Sequence, residues 1–135
     1  MTNKDLGDGP GRDPMPHSVL VVDDRPEITR VLTHLLAADG RLTLAGTASD
    51  GIEAVEHTKH SCPDAIILDL EMPRMSGLEA LPVLRKTCPD CVIVMYSSDP
   101  DRAKAAPQLG ADSYVDKSED PTALIDLVAD LCHRK

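Results

Sequence analysis

Aspartates, a serine and a lysine stand at the ends of short apolar segments of the sequence. Asp23 and Asp24 follow the first segment and Asp69 the third, while Ser97 and Lys117 follow the fourth and fifth. Two carboxylates about 4 Å apart repel each other by roughly 4 kcal/mol at an effective dielectric constant near 20. Three of them therefore need raised pKa values or a bound cation, and oxygen ligands in a partly open site favour Mg²⁺.

This set of groups is suited to accepting a phosphoryl group. A divalent cation and the Lys117 ammonium would neutralise the phosphoryl oxygens while Asp69 attacks the phosphorus in line. Ser97 supplies a hydroxyl at the same edge, and Ser98 is an alternative because strand ends are predicted only to within about two residues. The residue types thus predict a Mg²⁺-dependent site in which Asp69 is the nucleophile.

The elements that must position these residues are short strands alternating with helices. Apolar runs rich in Val and Ile predict buried parallel strands at 19–22, 42–48, 65–68, 92–96 and 113–115. Because the carboxyl ends of parallel strands meet at one edge of the sheet, the candidate site residues are expected to converge there.

In the segments between the predicted strands, apolar residues recur at helical spacing. Pro26 opens the first helix, Ser76 with Glu79 forms a capping box for the third, and Asp-Pro pairs at 99–100 and 120–121 open the fourth and fifth. Five β–α repeats with short connections predict an α/β fold, a parallel sheet covered by helices on both faces.

Composition limits the possible functions. The chain has 135 residues with 41% hydrophobic residues, two Tyr, no Phe and no Trp, so one domain with an aliphatic core is expected. A net charge of −9 disfavours binding to a nucleic-acid backbone by this chain alone. No apolar run is long enough to span a membrane.

The beginning of the chain differs in composition from the rest. Residues 1–17 are rich in Gly and Pro and contain almost no apolar residues, which predicts a disordered tail before a folded domain at 18–135. The four cysteines are too few for a disulfide framework and favour a reducing cytoplasm.

Two cysteine patterns also allow other chemistry. Cys88 and Cys91 have the spacing of a redox pair, but they precede a strand instead of opening a helix, so ordinary structural cysteines are favoured. His57, His60 and Cys62 could ligate zinc, but no second pair of ligands accompanies them, and a solvated helix end is the simpler interpretation.

Three motifs in the folded part occur in the order of a known family. They are Val-Val-Asp-Asp-Arg-Pro at 21–26, Leu-Asp-Leu-Glu-Met-Pro-Arg-Met-Ser-Gly-Leu-Glu at 68–79, and Gly-Ala-Asp-Ser-Tyr-Val-Asp-Lys at 110–117. With them, residues 19–131 resemble the receiver domain of two-component response regulators. The resemblance implies a (βα)5 flavodoxin-like doubly wound sheet with strand order 2-1-3-4-5, and a signalling domain instead of an enzyme.

The resemblance also implies a metal site. It makes Asp69 the phosphoacceptor, modified by a sensor histidine kinase, and Asp23 and Asp24 the acidic pair that holds Mg²⁺ directly or through water. Asp69 itself and the backbone carbonyl of Glu71 complete the ligands. Taken alone, two adjacent aspartates after a strand are more often a turn or a helix cap.

A switch is implied as well. Ser97 would be the hydroxyl that moves onto the phosphoryl group, Lys117 would pair with the phosphoryl oxygens, and Tyr114 would follow the hydroxyl by changing rotamer. Apart from the resemblance, Ser97 reads as a helix-cap residue and Tyr114 as a half-buried strand aromatic.

Some residues depart from the family pattern. Pro82 should kink the third helix and Pro107 should interrupt the fourth. Ser118 stands where many relatives have a proline, which argues against a cis peptide bond there. Glu71 places an acid at the mouth of the site, where it could alter the lifetime of a phosphoryl group.

Two other functions use parts of the same pattern. A pseudo-receiver would act as an unphosphorylated scaffold, but the complete set of site residues argues against it. An aspartate-nucleophile phosphotransferase or phosphatase would share the Asp and Mg²⁺ chemistry, but no predicted segment is long enough for a cap over its substrate. The expected partners are a histidine kinase and a downstream effector or output domain, and the expected state is a monomer or weak homodimer.

Overall fold

The strands lie where the apolar runs predict them. In the computed structural model, which describes residues 15–135, the strands are β1 His17–Val22, β2 Leu42–Ala48, β3 Ala65–Leu68, β4 Val92–Ser97 and β5 Ser113–Asp116. All pairings are parallel, and the order across the sheet is β2-β1-β3-β4-β5. This confirms the flavodoxin-like order 2-1-3-4-5.

The helices alternate with the strands along the chain. They are α1 Pro26–Ala38, α2 Gly51–His60, α3 Gly77–Thr87, α4 Pro100–Ala103, α5 Ala106–Leu109 and α6 Pro121–His133. The fourth predicted helix is two short helices, α4 and α5, with Pro107 in the first turn of α5. In contrast, α3 continues through Pro82, so that proline does not end the helix.

Local signals in the sequence account for the helix starts. Ser76 and Glu79 form the predicted capping box at the start of α3. Asp99 accepts a hydrogen bond from the Arg102 backbone N–H, and Asp120 accepts one from that of Thr122. Each cap satisfies an N–H group that has no partner inside the helix, and the caps therefore help to fix where α3, α4 and α6 begin.

Side chains of β1 alternate between two hydrophobic layers. Val19 and Val21 belong to the layer covered by α1 and α6, whereas Leu20 and Val22 belong to the layer covered by α2, α3 and α5. Every residue of β3 and β4 is buried, as expected for central strands that are covered on both faces. This packing makes the carboxyl edge of the sheet a rigid base for the site.

The start of the folded part lies slightly earlier than predicted. The predicted disordered tail, residues 1–17, lies outside the described residues except for its last three. His17 is already the first residue of β1 and pairs with Leu42 of β2, so the predicted boundary is wrong at this residue. His17 is polar, and the backbone hydrogen bonds that place a residue at the start of a strand do not require an apolar side chain, so the apolar pattern of the sequence did not include it.

A disulfide lies at the opposite end of the sheet from the candidate site. It joins Cys62, between α2 and β3, to Cys88, which caps the C-terminus of α3. The expectation of reduced cysteines is therefore wrong for this pair. Cys91, the other residue of the Cys-x-x-Cys pattern, is a buried thiol, and its pKa is raised to about 12, chiefly because burial disfavours the thiolate.

Candidate functional site

Backbone hydrogen bonds hold the aspartates at the ends of the central strands. The Asp23 N–H donates to the carbonyl oxygen of Ala48 at 3.0 Å, and the Asp69 N–H donates to that of Val22 at 2.9 Å. The sheet ladder thus extends one residue beyond β1 and β3. The two carboxylates are placed side by side because their strands are neighbours in the sheet.

The three aspartates form one cluster. Asp23, Asp24 and Asp69 each offer a carboxylate oxygen, and these oxygens all lie within 4.8 Å of one another. Asp23 and Asp69 are buried, whereas Asp24 is exposed at the rim. The cluster therefore has two fixed, desolvated acids and one acid that remains in contact with solvent.

Lys117 reaches the cluster from the end of β5. Its Nζ atom lies 2.8 Å from Asp23 Oδ2 and 3.2 Å from Asp69 Oδ1, and 5.8 Å from the centre of the Tyr96 ring. Burial lowers the pKa of Lys117, but the contacts with Asp23 and Asp69 outweigh it and raise the pKa above its usual value. The ammonium therefore stays charged and partly compensates the two buried acids.

Asp69 has an unusual carboxyl group. Burial, and then the charge of Asp23, raise its pKa to about 6, against the opposing attraction of Lys117. At neutral pH most of the molecules still carry the carboxylate. Asp69 is therefore ionised, poorly solvated and adjacent to a cation, which is the state required of a carboxylate nucleophile.

The cluster fits a divalent cation. Three carboxylates and one ammonium leave two negative charges in excess, which repel one another in a poorly solvated site. Asp23 Oδ2 is buried and has no hydrogen-bond partner beyond its 2.8 Å ionic contact with Lys117 Nζ. An all-oxygen set open to solvent on the Asp24 side suits Mg²⁺.

Ser97 lies in the same cavity as Asp69 and Lys117. These residues line a cavity of about 260 Å³. Ser98 lines the same cavity; Ser97 is buried, whereas Ser98 is exposed, and the choice of Ser97 as the switch hydroxyl stays a prediction. The Ser97 hydroxyl accepts a hydrogen bond from the Asp99 N–H at 3.1 Å, so in this structure its oxygen is engaged by its own turn.

Residues 19–129 match the response regulator receiver domain. The chain belongs to this family. It is 37% identical over 121 residues to a protein-glutamate methylesterase/protein-glutamine glutaminase of Halalkalibacterium halodurans, covering 87% of this chain and 35% of that protein. The chain spans about a third or less of the length of the first curated relatives it matches.

Solved structures agree with the assignment to the receiver family. The response regulator domain of Thermotoga maritima CheB matches with a TM-score of 0.77 and 30% identity, over 87% of this chain and 96% of that one. A chain of the CheX–CheY–BeF3–Mg²⁺ complex from Borrelia burgdorferi matches with a TM-score of 0.80 and 26% identity, over 90% of this chain and 95% of that one. A receiver is a signalling domain. Separately, no helix within residues 15–135 is long and apolar enough to cross a membrane.

Tyr114 of the receiver domain contacts the same strand end as the site. Its hydroxyl donates to the backbone carbonyl of Ser97 at 3.1 Å, and its ring packs against the layer formed with α2, α3 and α5. The Tyr114 side chain is therefore linked by a hydrogen bond to the backbone of the residue that carries the Ser97 hydroxyl. Its predicted rotamer change remains a prediction.

Contacts beyond the predicted site residues were not foreseen from the sequence. The Glu71 carboxylate forms an ion pair with Arg102 of α4, and both line a cavity together with Asp24. Arg74, in the loop between β3 and α3, pairs with the buried Asp50 at the start of α2. Only Asp50 leaves a signal, since an Asp before a helix followed by Glu three residues later indicates a cap.

The zinc and redox sites that the cysteine and histidine patterns allowed are not formed in the structure. Cys62 is bonded to Cys88, so it does not serve as a zinc ligand with the nearby histidines. His60 pairs with Glu56 on the same helix, while His57 lies beneath Gly46 of β2. Within residues 15–135, the aspartate cluster is the one group of three or more such side chains close enough to share a metal ion.

Proposed function

We propose that this receiver domain accepts a phosphoryl group on Asp69 from a sensor histidine kinase in a Mg²⁺-dependent reaction. The observation that carries the proposal is the position of Asp69: a buried carboxylate 3.2 Å from Lys117 Nζ, with oxygens of Asp23 and Asp24 within 4.8 Å. The Borrelia burgdorferi complex, which contains both Mg²⁺ and BeF3, supports the same chemistry at this fold.

The reaction is a direct transfer to the carboxylate. An oxygen of Asp69 attacks the phosphorus of the phosphohistidine, the O–P bond forms as the P–N bond breaks, and the imidazole leaves with the electron pair of that bond. Lys117 pairs with the phosphoryl oxygens. Asp23, Asp24, Asp69 and the Glu71 backbone carbonyl would hold Mg²⁺, which supplies positive charge to those oxygens.

Phosphorylation would then shift a conformational equilibrium. Ser97 would exchange its contact with the Asp99 N–H for one with the phosphoryl group, and Tyr114 would follow. A shift from 1:99 to 99:1 needs about 5.5 kcal/mol. Charge-assisted hydrogen bonds contribute roughly 1.5–3 kcal/mol each, so about two to four of them suffice to switch the surface formed by α4, α5, β5 and α6.

The partners follow from this role. We propose that the domain receives its phosphoryl group from a histidine kinase in the cytoplasm, and that its switched surface controls a downstream protein or an output domain. The net charge of −9 disfavours direct contact with nucleic acid. The expected association state is a monomer or a weak homodimer.

Acetyl phosphate tests the chemistry without the kinase. With Mg²⁺, intact-mass spectrometry should show a gain of one phosphoryl group, and peptide analysis should place it on Asp69. Asp69→Ala should remain unlabelled, whereas Asp90→Asn, which alters an exposed acid at the other end of the sheet, should label normally. An unmodified wild-type chain, under conditions that label another receiver domain, would overturn the proposal.

A further inference from the structure

The loop between β3 and α3, residues 69–76, presents both the nucleophile and the Glu71 carbonyl. Backbone contacts fix its two ends: the Asp69 N–H donates to Val22 at 2.9 Å, and the Gly77 N–H donates to Leu70 at 2.8 Å. The middle of the loop has no strand partner. Something else must therefore define where the Glu71 carbonyl points.

Arg74 anchors the middle of the loop to α2. Its Nε and Nη2 atoms lie 2.6 and 2.5 Å from Asp50 Oδ2. Asp50 is 2% exposed, and its other oxygen accepts the Glu53 N–H at 2.8 Å as the helix cap. Next to Arg74, the Met75 carbonyl accepts the Gly51 N–H at 2.9 Å, so side chain and backbone fasten the loop to the same helix end.

The backbone at Arg74 is strained. Its φ of 65° is the one positive value among the non-glycine residues described by the structure, and side chains other than Gly and Asn rarely adopt this conformation. Such a residue persists only where surrounding contacts over-determine it, and these positions cluster at functional sites. The paired contacts with the buried Asp50 are the compensating interaction here.

We infer that Arg74 is a positioning residue for the Mg²⁺ site. Its ion pair with Asp50 fixes the loop that presents the Asp69 carboxylate and the Glu71 carbonyl, although neither Arg74 nor Asp50 contacts the acidic cluster. The inference rests on the proposed Mg²⁺-dependent function. Groups that orient metal ligands from outside the site typically contribute 10- to 100-fold to metal affinity.

Three variants separate the ion pair from the strained backbone. Arg74→Ala removes the anchor and keeps the strain, and Arg74→Gly removes both. Asp50→Asn keeps an oxygen for the helix cap but places an amide against the guanidinium. We expect each to weaken Mg²⁺ binding about tenfold, and Asp50→Asn combined with Arg74→Ala to weaken it no further than either alone.

A matched control removes an arginine that has no role in the loop. Arg41 pairs with Asp39 and Asp126 at 2.7 and 2.8 Å, at the amino end of β2. Arg41→Ala therefore removes a comparable set of ionic contacts. It should leave the Mg²⁺ affinity unchanged within twofold, even where it lowers the melting temperature.

Isothermal titration with Mg²⁺ alone, well below each melting temperature, gives the decisive comparison. Amide hydrogen exchange of residues 69–76 should accelerate in the Arg74 variants and not in Arg41→Ala. Wild-type affinity retained in Arg74→Gly, which has no strained side chain to prevent folding, would overturn the inference. Failure of the wild-type chain itself to bind Mg²⁺ would instead overturn the proposed function.

Discussion

Replacing Asp69 by Asn should stabilise the domain at neutral pH when no divalent cation is present. The wild-type carboxyl is buried beside Asp23, so its pKa is raised to about 6 from an ordinary 3.8. The folded state thus favours the protonated acid. The corresponding stability is complete below pH 4, and it is lost as the pH rises through about 6. Asn cannot ionise, so the Asp69→Asn variant does not lose stability in this way as the pH rises.

The size of the effect follows from the shift. About two pKa units correspond to roughly 3 kcal/mol, at 1.36 kcal/mol per unit. The shift is already a net value, because the attraction of Lys117 at 3.2 Å opposes burial and the Asp23 charge. At pH 7.5 we therefore expect Asp69→Asn to exceed the wild type in free energy of unfolding by up to about 3 kcal/mol, and at pH 4 we expect no difference.

Urea unfolding in EDTA between pH 4 and 8 measures this difference. Circular dichroism is the suitable probe, since the chain has two Tyr and no Trp. Asp90→Asn, which removes an exposed carboxylate, controls for the change in net charge and should show no comparable pH-dependent gain. Adding Mg²⁺ at about 100 times its dissociation constant should return about 2.7 kcal/mol to the wild type, and less to Asp69→Asn.

A pH-independent difference between Asp69→Asn and the wild type would refute this reasoning. It would mean that the substitution acts through packing and that Asp69 titrates alike in the folded and unfolded chains. A wild type that gains stability over the variant as the pH rises would refute it more strongly, because the Lys117 contact would then outweigh burial and the Asp23 charge together.

Three further predictions concern the surroundings of the site. Reducing the Cys62–Cys88 disulfide, whose cysteines are 26 residues apart, should lower the free energy of unfolding by about 3 kcal/mol; thermal melts with and without dithiothreitol show this, and Cys62→Ser should not respond. Gly77→Ala should destabilise by about 3 kcal/mol or more and weaken Mg²⁺ binding in titrations, because the added methyl would overlap the Asp69 carbonyl. Lys117→Ala leaves two buried carboxylates without their cation and should cost about 3–5 kcal/mol in urea unfolding, a loss that Mg²⁺ should partly restore.

Strand ends and helix starts were predictable because their causes are local. A buried central strand such as β3 is apolar on both faces, so its limits, Ala65–Leu68, follow from the sequence alone. The capping box at Ser76 and the interruption at Pro107 are likewise set by a few adjacent residues. The convergence of Asp69 and Lys117 followed in turn, because parallel strands present their carboxyl ends at one edge.

Contacts between residues that are distant in the sequence were not predictable. Arg74 and Asp50 are 24 residues apart, and nothing in either residue type selects the other from the remaining charged side chains. Cys62 and Cys88 meet only because the segment before β3 and the end of α3 lie at the same amino edge of the sheet. The spacing of Cys88 and Cys91 in the sequence instead suggested a redox pair, but here Cys88 caps α3 and Cys91 lies just before β4.

The site breaks the rule that buried charges are balanced, and this imbalance connects its structure to its function. Asp23 and Asp69 are buried with one ammonium between them, and Asp24 adds a third acid at the rim. A fold optimised for stability alone would replace one of these acids. Retaining all three keeps a repulsion that a divalent cation relieves on binding, because the cation neutralises the two negative charges that Lys117 leaves uncompensated. The same argument explains why we expect Asp69→Asn to be both more stable and unable to accept a phosphoryl group: the substitution that relieves the repulsion also removes the proposed nucleophile.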